Sequence, residues 1–470
     1  MHVHVSRGLL FFLYGETRSR RGSLYTVKSI KTQSAYVRIL CIALVGNVTR
    51  AVLPRSAPLV CSRPMWPVAA MALVQVTLGL TPARAPGGRV GETFRVAWKA
   101  TDGFNDASFN TFDERNYEGM KNDKTRTPVY AAAIRSALAD RQGEMVVLDI
   151  GTGPEALLAL FAARFGARKV YAVEASPAVA AKACQAVKAA GYEEVVEVIT
   201  GFSTEIELPE LADLLVAEIV GSVASDEGIY ATMHDAQCRH MKRPNDPASY
   251  IPRTVETWCA PVSYALHHHA LGPSGFDWEA VRRDGPPPRF ACSYPGVKPL
   301  AQPQLLEQIR FGCGVDGVPS PGSRLCRRMD FEVCTDRMKE AEESCANALK
   351  HAGCPEVQAA QISQEVASGV SGIAMWPRLL LGDDKDDTLH IESRGTHGRP
   401  QRSHWQVAMP LLCANPRRVV AGEKISVLST IDVGVRVDVP NQYELNVEFE
   451  GAGEDRQGRA HKTRDPEQAV

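Results

Sequence analysis

The 470-residue sequence lacks several features that would mark a special class of protein. Its formal net charge is only −1, so no overall basic field favours nucleic acid or an anionic membrane as a partner. None of its twelve cysteines forms a Cys-X-X-Cys pair, which argues against a zinc site or a disulfide framework and indicates reduced thiols. We therefore predict a protein of the cytoplasm or nucleus with no metal and no direct nucleic-acid contact.

Long hydrophobic runs are also missing. The longest apolar stretches, 39–48 and 66–81, are shorter than the ~20 residues that cross a bilayer, so no membrane span is expected. Both lie in a segment, 1–90, whose only acidic residue is Glu16 among many Arg and Lys. Two interpretations fit this composition: a transit peptide for a plastid or mitochondrion, or a disordered or misassigned leader with the true start at Met71.

After this leader, strand patterns alternate with helical patterns. Helical material is expected at 113–138, with Pro128 opening a second helix. Further along, the predicted strands are 145–150, 169–173, 195–200 and 214–218, and the predicted helices between them are 156–165 and 177–190. Strands that alternate with helices of ten or more residues indicate a parallel, doubly wound, Rossmann-like α/β sheet.

The second half of the chain has a different sequence pattern. Segments 255–266 and 425–450 are β-branched, alternating and broken by turns, which is typical of antiparallel strands, whereas 336–351 is one amphipathic helix. We predict four parts: a leader at 1–90, a Rossmann-like domain at 91–252, a β-barrel-like domain at 253–454 with a long insertion at about 270–400, and a disordered tail at 455–470.

A nucleotide-binding pattern, LDIGTGP, follows the first predicted strand. Asp149 ends the strand, and Gly151 and Gly153 let the backbone turn tightly and approach a ligand beside the free N–H groups of the next helix. Glu174, at the end of the next strand, is placed to accept both hydroxyls of a ribose. The charge of Glu155 would repel a pyrophosphate, but S-adenosylmethionine has no phosphates. A structural turn beside a surface glutamate is the alternative interpretation.

Two glutamates, Glu218 and Glu227, lie nine positions apart just after the fourth predicted strand. An arginine guanidinium is planar and always charged, and it is the side chain best matched to two carboxylates. A carboxylate pair that follows a nucleotide-binding pattern therefore predicts methyl transfer to arginine.

Several separated segments resemble the protein arginine methyltransferases, over about 109–450. The segment NYEGMKNDKTRTPVY is similar to the N-terminal helix motif of that family, and Asp-X-Gly-X-Gly to its first motif. Glu218 and Glu227 match its paired glutamates, and Ser403-His404-Trp405-Gln406 its Thr-His-Trp loop, with Ser for Thr. The last β-rich segments are similar to the closing strands of its barrel.

The resemblance implies the class I methyltransferase fold, S-adenosylmethionine as cofactor, an arginine-containing protein or peptide as substrate, and a homodimer. Arg126 would pair with the methionine carboxylate, and Met120 would lie against the methyl group and the substrate. A proton would leave through a glutamate or through His404, and Trp405 would shape the pocket wall.

Some positions depart from the family pattern. Thr204 lies where many members have a glutamate near the adenine, and the adjacent Glu205 could substitute for it. The loop after Glu218 resembles the symmetric-dimethylating branch, whereas Met120 replaces the phenylalanine of that branch. Two rivals fit the sequence: a methyltransferase for small molecules, and a non-catalytic scaffold with the same fold, which Pro154-Glu155 and Thr204 would favour.

Overall fold

The structure is a computed structural model that describes residues 2–6, 9–13, 91–100, 114–268, 271–272, 275–284, 286–314, 317–383, 388–395, 398–436 and 438–452. The chain divides into two compact units, Met1–Pro67 and Val68–Val470. In the first unit, β1 (His2–Ser6) and β2 (Leu9–Leu13) form an antiparallel hairpin. The rest of the predicted leader and the predicted tail at 455–470 lie outside the described residues. The described part of the second unit begins with β3 (Glu92–Lys99).

A five-stranded parallel sheet carries the nucleotide-binding pattern. Its strands are β4 (Val146–Ile150), β5 (Lys169–Glu174), β6 (Val196–Thr200), β7 (Leu214–Ala217) and β8 (Tyr250–Ile251). They are ordered β6-β5-β4-β7-β8, so the chain enters at the centre and winds outwards in both directions. Every residue of β4 is buried, as expected for a parallel strand that is covered on both faces. The doubly wound sheet predicted from the sequence is confirmed.

Helices precede and connect these strands, close to the predicted positions except for the helix at Ile229–Arg239, which the sequence analysis did not predict. They are α1 (Glu114–Lys121), α2 (Thr127–Leu138), α3 (Leu157–Arg164), α4 (Pro177–Ala190) and α5 (Ile229–Arg239). Pro128 lies in the first turn of α2, where its missing N–H costs nothing. Gly191 ends α4 in the left-handed conformation, with φ 75°.

The second half forms antiparallel sheets. One has seven strands: β9 (Thr254–Tyr264), β10 (Arg289–Ala291), β11 (Val297–Pro299), β12 (Gln304–Arg310), β15 (Gly372–Leu380), β16 (His390–Glu392) and β17 (Gln406–Ala408). A second contains β13 (Arg324–Glu332), β19 (Glu423–Asp432), β20 (Gln442–Ala452) and β3, while β14 (Gly369–Val370) pairs with β18 (Arg417–Arg418). Helices α6 (Trp278–Asp284), α7 (Thr335–His351) and α8 (Glu356–Ala367) lie between strands.

The insertion is narrower than the predicted 270–400. Much of that range supplies strands to the sheets, since β12 and β15 both pair with β9. The part without strands includes the helix pair α7–α8, which has a small core of its own around Leu349, Ile362 and Val366. The sequence predicted one helix in this range, at 336–351; helices α6 and α8 were not predicted.

One strand crosses the predicted domain boundary. β3 lies in the segment 91–252 that was assigned to the Rossmann-like domain, yet it pairs antiparallel with β20, from Glu92 opposite Phe449 to Lys99 opposite Gln442. Trp98 on β3 stacks on Tyr443 at 5.2 Å between ring centroids. The four-part division of the chain stays a prediction, and β3 is the element that departs from it.

The two halves of the second unit share one hydrophobic core. Val147 on β4, Val255 on β9 and Phe449 on β20 all belong to the same buried cluster. Within the described ranges, no helix combines the length and the apolar character required to span a membrane. Nor do the described side chains bring together three or more His, Cys, Asp or Glu in a group that could hold a metal ion.

Candidate active site

The carboxyl ends of β4 and β5 form the nucleotide-binding edge of the parallel sheet. Gly151 and Gly153 adopt positive φ angles of 75° and 68° in the loop after β4. A Cβ at Gly151 would come within 2.9 Å of the Ile219 side chain, so the loop needs glycine both for its backbone conformation and for space. Ala156, where another glycine would relieve the backbone, takes a left-handed conformation with φ 45°.

Glu174 closes this loop onto the next strand. It lies at the end of β5 and is 7% exposed. Its carboxylate accepts hydrogen bonds from the backbone N–H groups of Gly153, at 3.1 Å, and Ser176, at 3.0 Å. Burial raises the pKa of Glu174, although these donated hydrogen bonds oppose the rise. The carboxylate predicted to bind a ribose thus lies beside the glycine loop.

Asp149, at the end of β4, stabilises the glycine loop by hydrogen bonds. It is 1% exposed, and one carboxylate oxygen accepts hydrogen bonds from the Thr152 hydroxyl, at 2.6 Å, and the Ala159 N–H, at 3.1 Å. Burial raises the pKa of Asp149 to about 6. The residue predicted to bind cofactor therefore ties β4 to the start of α3.

This shift in the Asp149 pKa predicts a measurable pH dependence. The folded-state pKa of about 6 lies above the ordinary value, so the contribution to stability is complete below about pH 4 and is lost as pH rises through 6. Relative to Asp149→Asn, the wild-type free energy of unfolding should fall by roughly 3 kcal/mol between those limits. Urea unfolding of both proteins from acid to neutral pH measures the difference, and parallel pH curves would contradict it.

Thr204 and Glu205 lie in the turn that follows β6, on the same edge of the sheet as Glu174. Thr204 is half-buried and Glu205 is exposed. The backbone N–H of Glu205 donates to the Phe202 carbonyl at 2.9 Å, which closes the turn. Their assignment to the adenine end of the site stays a prediction.

A buried ion pair joins two predicted site residues. The Arg126 guanidinium donates to the Glu218 carboxylate at 2.7 Å, and the two residues are 5% and 8% exposed. Arg126 is the residue immediately before α2, and Glu218 follows the end of β7. The guanidinium also donates to the carbonyl of Met120, in α1, at 3.4 Å. Arg126 therefore connects the N-terminal helices to the first of the two glutamates.

His404 approaches the same glutamate from the second half of the chain. Its Nε2 is 3.9 Å from the Glu218 carboxylate, and its Nδ1 is 2.8 Å from an oxygen of Asp123, which also accepts from the His404 N–H at 2.8 Å. Burial would raise the pKa of Asp123, but hydrogen bonds from His404 and Thr125 outweigh it and hold the pKa well below its usual range. An ionised carboxylate only accepts hydrogen bonds, so Nδ1 carries the proton that it donates to Asp123, and Nε2 is the ring nitrogen that faces Glu218.

Asp123 received no role in the sequence analysis. It belongs to the helix motif that carried the resemblance, but its partner is 281 positions away in the sequence. In the sequence, the occurrence of Asp123 and Arg126 in one motif indicates only that both residues are candidates for a functional role. The contact with His404 depends on the second half folding against α1 and α2.

Trp405 contacts the loop between the two glutamates. Its indole N–H donates to the Val220 carbonyl at 2.6 Å, and its side chain is 4% exposed. Within the loop, the Asp226 carboxylate lies against Gly221 so closely that a Cβ there would overlap it, at 1.5 Å. Trp405 therefore holds the backbone of the loop, and its place in the pocket wall stays a prediction.

Glu227 is half-buried at the far end of this loop. The Tyr117 ring, on α1, lies 3.3 Å from the position of a Gly153 Cβ. Burial raises the pKa of the Tyr117 hydroxyl well above its usual range, and the charges of Glu174 and Glu227 add to the rise. Tyr117, which the sequence analysis missed, thus lies between the glycine loop and the second glutamate.

The segment that carries most of these residues matches known proteins. Residues 108–245 match the family model described as PRMT5 arginine-N-methyltransferase. A segment of 144 residues is 35% identical to protein arginine N-methyltransferase PRMT10 of Arabidopsis thaliana, covering 30% of this chain and 36% of that protein. Over this segment the chain is similar to the protein arginine N-methyltransferases.

Other similarities agree with this family. A segment of 128 residues is 38% identical to the histone-arginine methyltransferase CARMER of Drosophila persimilis, covering 27% of this chain and 23% of that protein. The matched segments thus span 36% and 23% of these curated relatives. The solved Trypanosoma brucei PRMT1 enzyme-prozyme heterotetrameric complex with AdoHcy aligns with a TM-score of 0.51 at 20% identity, over 72% of this chain and 93% of that chain. This alignment extends the shared fold beyond the methyltransferase sheet to the barrel-like second half.

Proposed function

We propose that this protein transfers a methyl group from S-adenosylmethionine to a guanidinium nitrogen of arginine in a protein or peptide. The observation that carries the proposal is the buried pair in which Glu218 already holds the guanidinium of Arg126, at 2.7 Å. A carboxylate placed to accept charged hydrogen bonds from one guanidinium suits the same group of a substrate. The matches to arginine methyltransferases over 108–245 support the same function.

The nucleotide-binding edge fits S-adenosylmethionine. Gly151 and Gly153 allow close approach of a ligand, Glu174 would bind the ribose hydroxyls, and Arg126 would bind the methionine carboxylate. Glu155 is half-buried beside this loop and pairs with Lys121 at 2.6 Å. Its negative charge would repel a phosphate group, which S-adenosylmethionine does not have. When bound, the cofactor supplies a methyl group on a positively charged sulfur.

In the proposed step, the lone pair of a terminal guanidine nitrogen forms a bond to the methyl carbon. The electrons of the carbon–sulfur bond stay on sulfur, and the nitrogen releases a proton, giving methylarginine and S-adenosylhomocysteine. Glu218 and Glu227 would hold the guanidinium by charged hydrogen bonds and aim one nitrogen at the methyl group. Orientation of two reactants can contribute ~7–11 kcal/mol to a barrier reduction.

The released proton has a route through the described side chains. Glu218 can accept it, and the Nε2 of His404 lies 3.9 Å from that carboxylate. Asp123 stabilises a positively charged His404 because its carboxylate accepts from Nδ1 at 2.8 Å. His404 therefore serves as the final proton acceptor in this proposal.

Mass spectrometry of a methylated peptide tests the proposed function. The full chain is incubated with S-adenosylmethionine and a glycine-arginine-rich peptide, and the matched control peptide has lysine in place of each arginine. We expect a mass increase of one methyl group or more on arginine and none on the control, and fragmentation also identifies the product type. Cofactor cross-linking without methylation of any acceptor would favour the scaffold, and methylation of small molecules alone would favour the other rival.

We also propose that the protein acts as a homodimer in the cytoplasm or nucleus. The helix pair α7–α8 supports the first part. It packs on the seven-stranded sheet, where the Ser263 hydroxyl donates to the Val366 carbonyl at 2.6 Å, yet it exposes Val357 to 83%. Sedimentation velocity of the full chain and of a variant that lacks 335–367 tests the oligomeric state. Microscopy of a fluorescent fusion distinguishes these compartments from the organelle that a transit peptide would imply.

A further inference from the structure

A buried carboxylate in the second half lies under the loop that connects the two glutamates. Glu307 is on β12 and is 5% exposed. The pairing of β12 with β9 shifts register between Leu305 and Glu307, so that the neighbours Leu306 and Glu307 are both buried. This bulge directs a charged side chain into the interior, where a charge needs partners.

Each group that the described residues direct at Glu307 is a hydrogen-bond donor. The four donors are the Ser225 N–H at 3.2 Å, the Ser225 hydroxyl at 2.8 Å, the Thr257 hydroxyl at 2.6 Å and the Tyr230 hydroxyl at 3.0 Å. An ionised carboxylate has about four lone-pair positions, so these donors satisfy it as an anion. Because the Ser225 hydrogen is used here, the Tyr443 hydroxyl must donate to Ser225, at 2.9 Å.

Ser225 is the central residue of this network, and it lies in the loop between Glu218 and Glu227. It is fully buried, and its carbonyl accepts from the Asn441 amide at 2.8 Å. The neighbouring Ala224 N–H donates to the Thr257 hydroxyl, at 2.8 Å, which in turn donates to Glu307. The network therefore fixes the backbone of the loop from the barrel side.

We propose that Glu307 is a positioning residue for the methyl transfer, which as a carboxylate fixes Ser225 and so sets the placement of Glu218 and Glu227. This inference rests on the proposed function, because its readout is the rate of arginine methylation. Glu307 itself contacts neither cofactor nor substrate. Its effect passes through the loop, where a misplacement of about 1 Å can cost about 10²-fold in rate.

Glu307→Gln tests the proposal at nearly constant size. The amide offers one acceptor oxygen and adds two N–H donors that face other donors, so the loop must move. We expect kcat for peptide methylation to fall at least about tenfold, while affinity for S-adenosylhomocysteine stays unchanged. Hydrogen exchange of the amides at 219–228 should become faster.

Glu256→Gln is the matched control. Glu256 is also a buried carboxylate of the same sheet, 4% exposed, but it accepts from the Trp258 indole, Gln308 and Arg378. We expect it to lose comparable thermal stability with kcat and loop exchange unchanged. If Glu307→Gln does not fold, Ser225→Ala removes the hydroxyl alone and should still lower kcat severalfold.

The outcomes separate the two proposals. A kcat for Glu307→Gln, or for Ser225→Ala in its place, that equals that of the Glu256 control overturns the positioning role. A wild-type protein that binds S-adenosylhomocysteine but methylates no arginine peptide refutes the proposed function and the catalytic part of this inference. In that case loop exchange still shows whether Glu307 holds the loop, since it requires no substrate.

Discussion

Glu218→Gln is expected to lower kcat for arginine methylation by about 10²–10³-fold, the range typical of removing one preorganised electrostatic partner. Glutamine keeps the length of the side chain but has no charge with which to hold a substrate guanidinium. The change also leaves the buried guanidinium of Arg126 without its anion. The carboxylate of the cofactor's amino-acid part would then pair with Arg126 in place of Glu218. The affinity for S-adenosylhomocysteine should therefore be retained or increased.

Peptide methylation rates and calorimetry with S-adenosylhomocysteine measure these two effects separately. Glu227→Gln should lose turnover in the same way, with cofactor affinity largely intact. Glu210→Gln is the matched control, since Glu210 pairs with Arg168 on the surface, away from the site, and should keep the wild-type rate. Near wild-type methylation by either Glu218→Gln or Glu227→Gln would refute the role of the paired glutamates.

Arg126→Met is expected to lower the free energy of unfolding by about 3–5 kcal/mol, because it leaves the Glu218 carboxylate buried without its closest cation. Among the described residues, the other basic side chain within 4 Å of that carboxylate is His404, whose Nε2 is 3.9 Å away. The variant should also bind S-adenosylhomocysteine more weakly, since the proposed partner of the methionine carboxylate is gone. Urea unfolding and calorimetry measure the two losses.

The double variant Arg126→Met/Glu218→Gln separates the ion pair from the cofactor contact. With neither charge buried, it should regain much of the stability that Arg126→Met loses. Cofactor affinity and methylation should both stay low. If the double variant loses as much stability as the two single variants together, the pair is not coupled in the way that its 2.7 Å contact indicates.

Local patterns predicted the parts of the site that depend on neighbouring residues in the chain. Gly151, Gly153 and Glu174 follow from a strand, a tight turn and the next strand, all within about 25 positions. The two glutamates follow from a single loop. Because the fold brings the strand ends of a parallel sheet to one edge, the sequence alone places these residues together.

Contacts between distant parts of the chain could not be predicted in this way. His404 meets Asp123 across 281 positions, and Glu307 meets Ser225 across 82. From its sequence, a glutamate in a strand such as Glu307 is predicted to be exposed. The bulge that turns it inwards cannot be recognised from the alternation of apolar and polar residues. The role of Tyr117 depends likewise on helix α1 packing over the glycine loop.

The pairing of β3 with β20 has a consequence for dissecting the chain. β3 precedes the parallel sheet in sequence but belongs to the sheet that the last strand completes. Cleavage between the two halves does not give two self-contained fragments. A cut near residue 252 leaves β3 in the N-terminal fragment without its partner strand and exposes the edge of β20 in the C-terminal fragment. Co-expressed fragments split at that point should therefore reassemble, whereas either fragment alone would present an unpaired strand to its neighbours in solution.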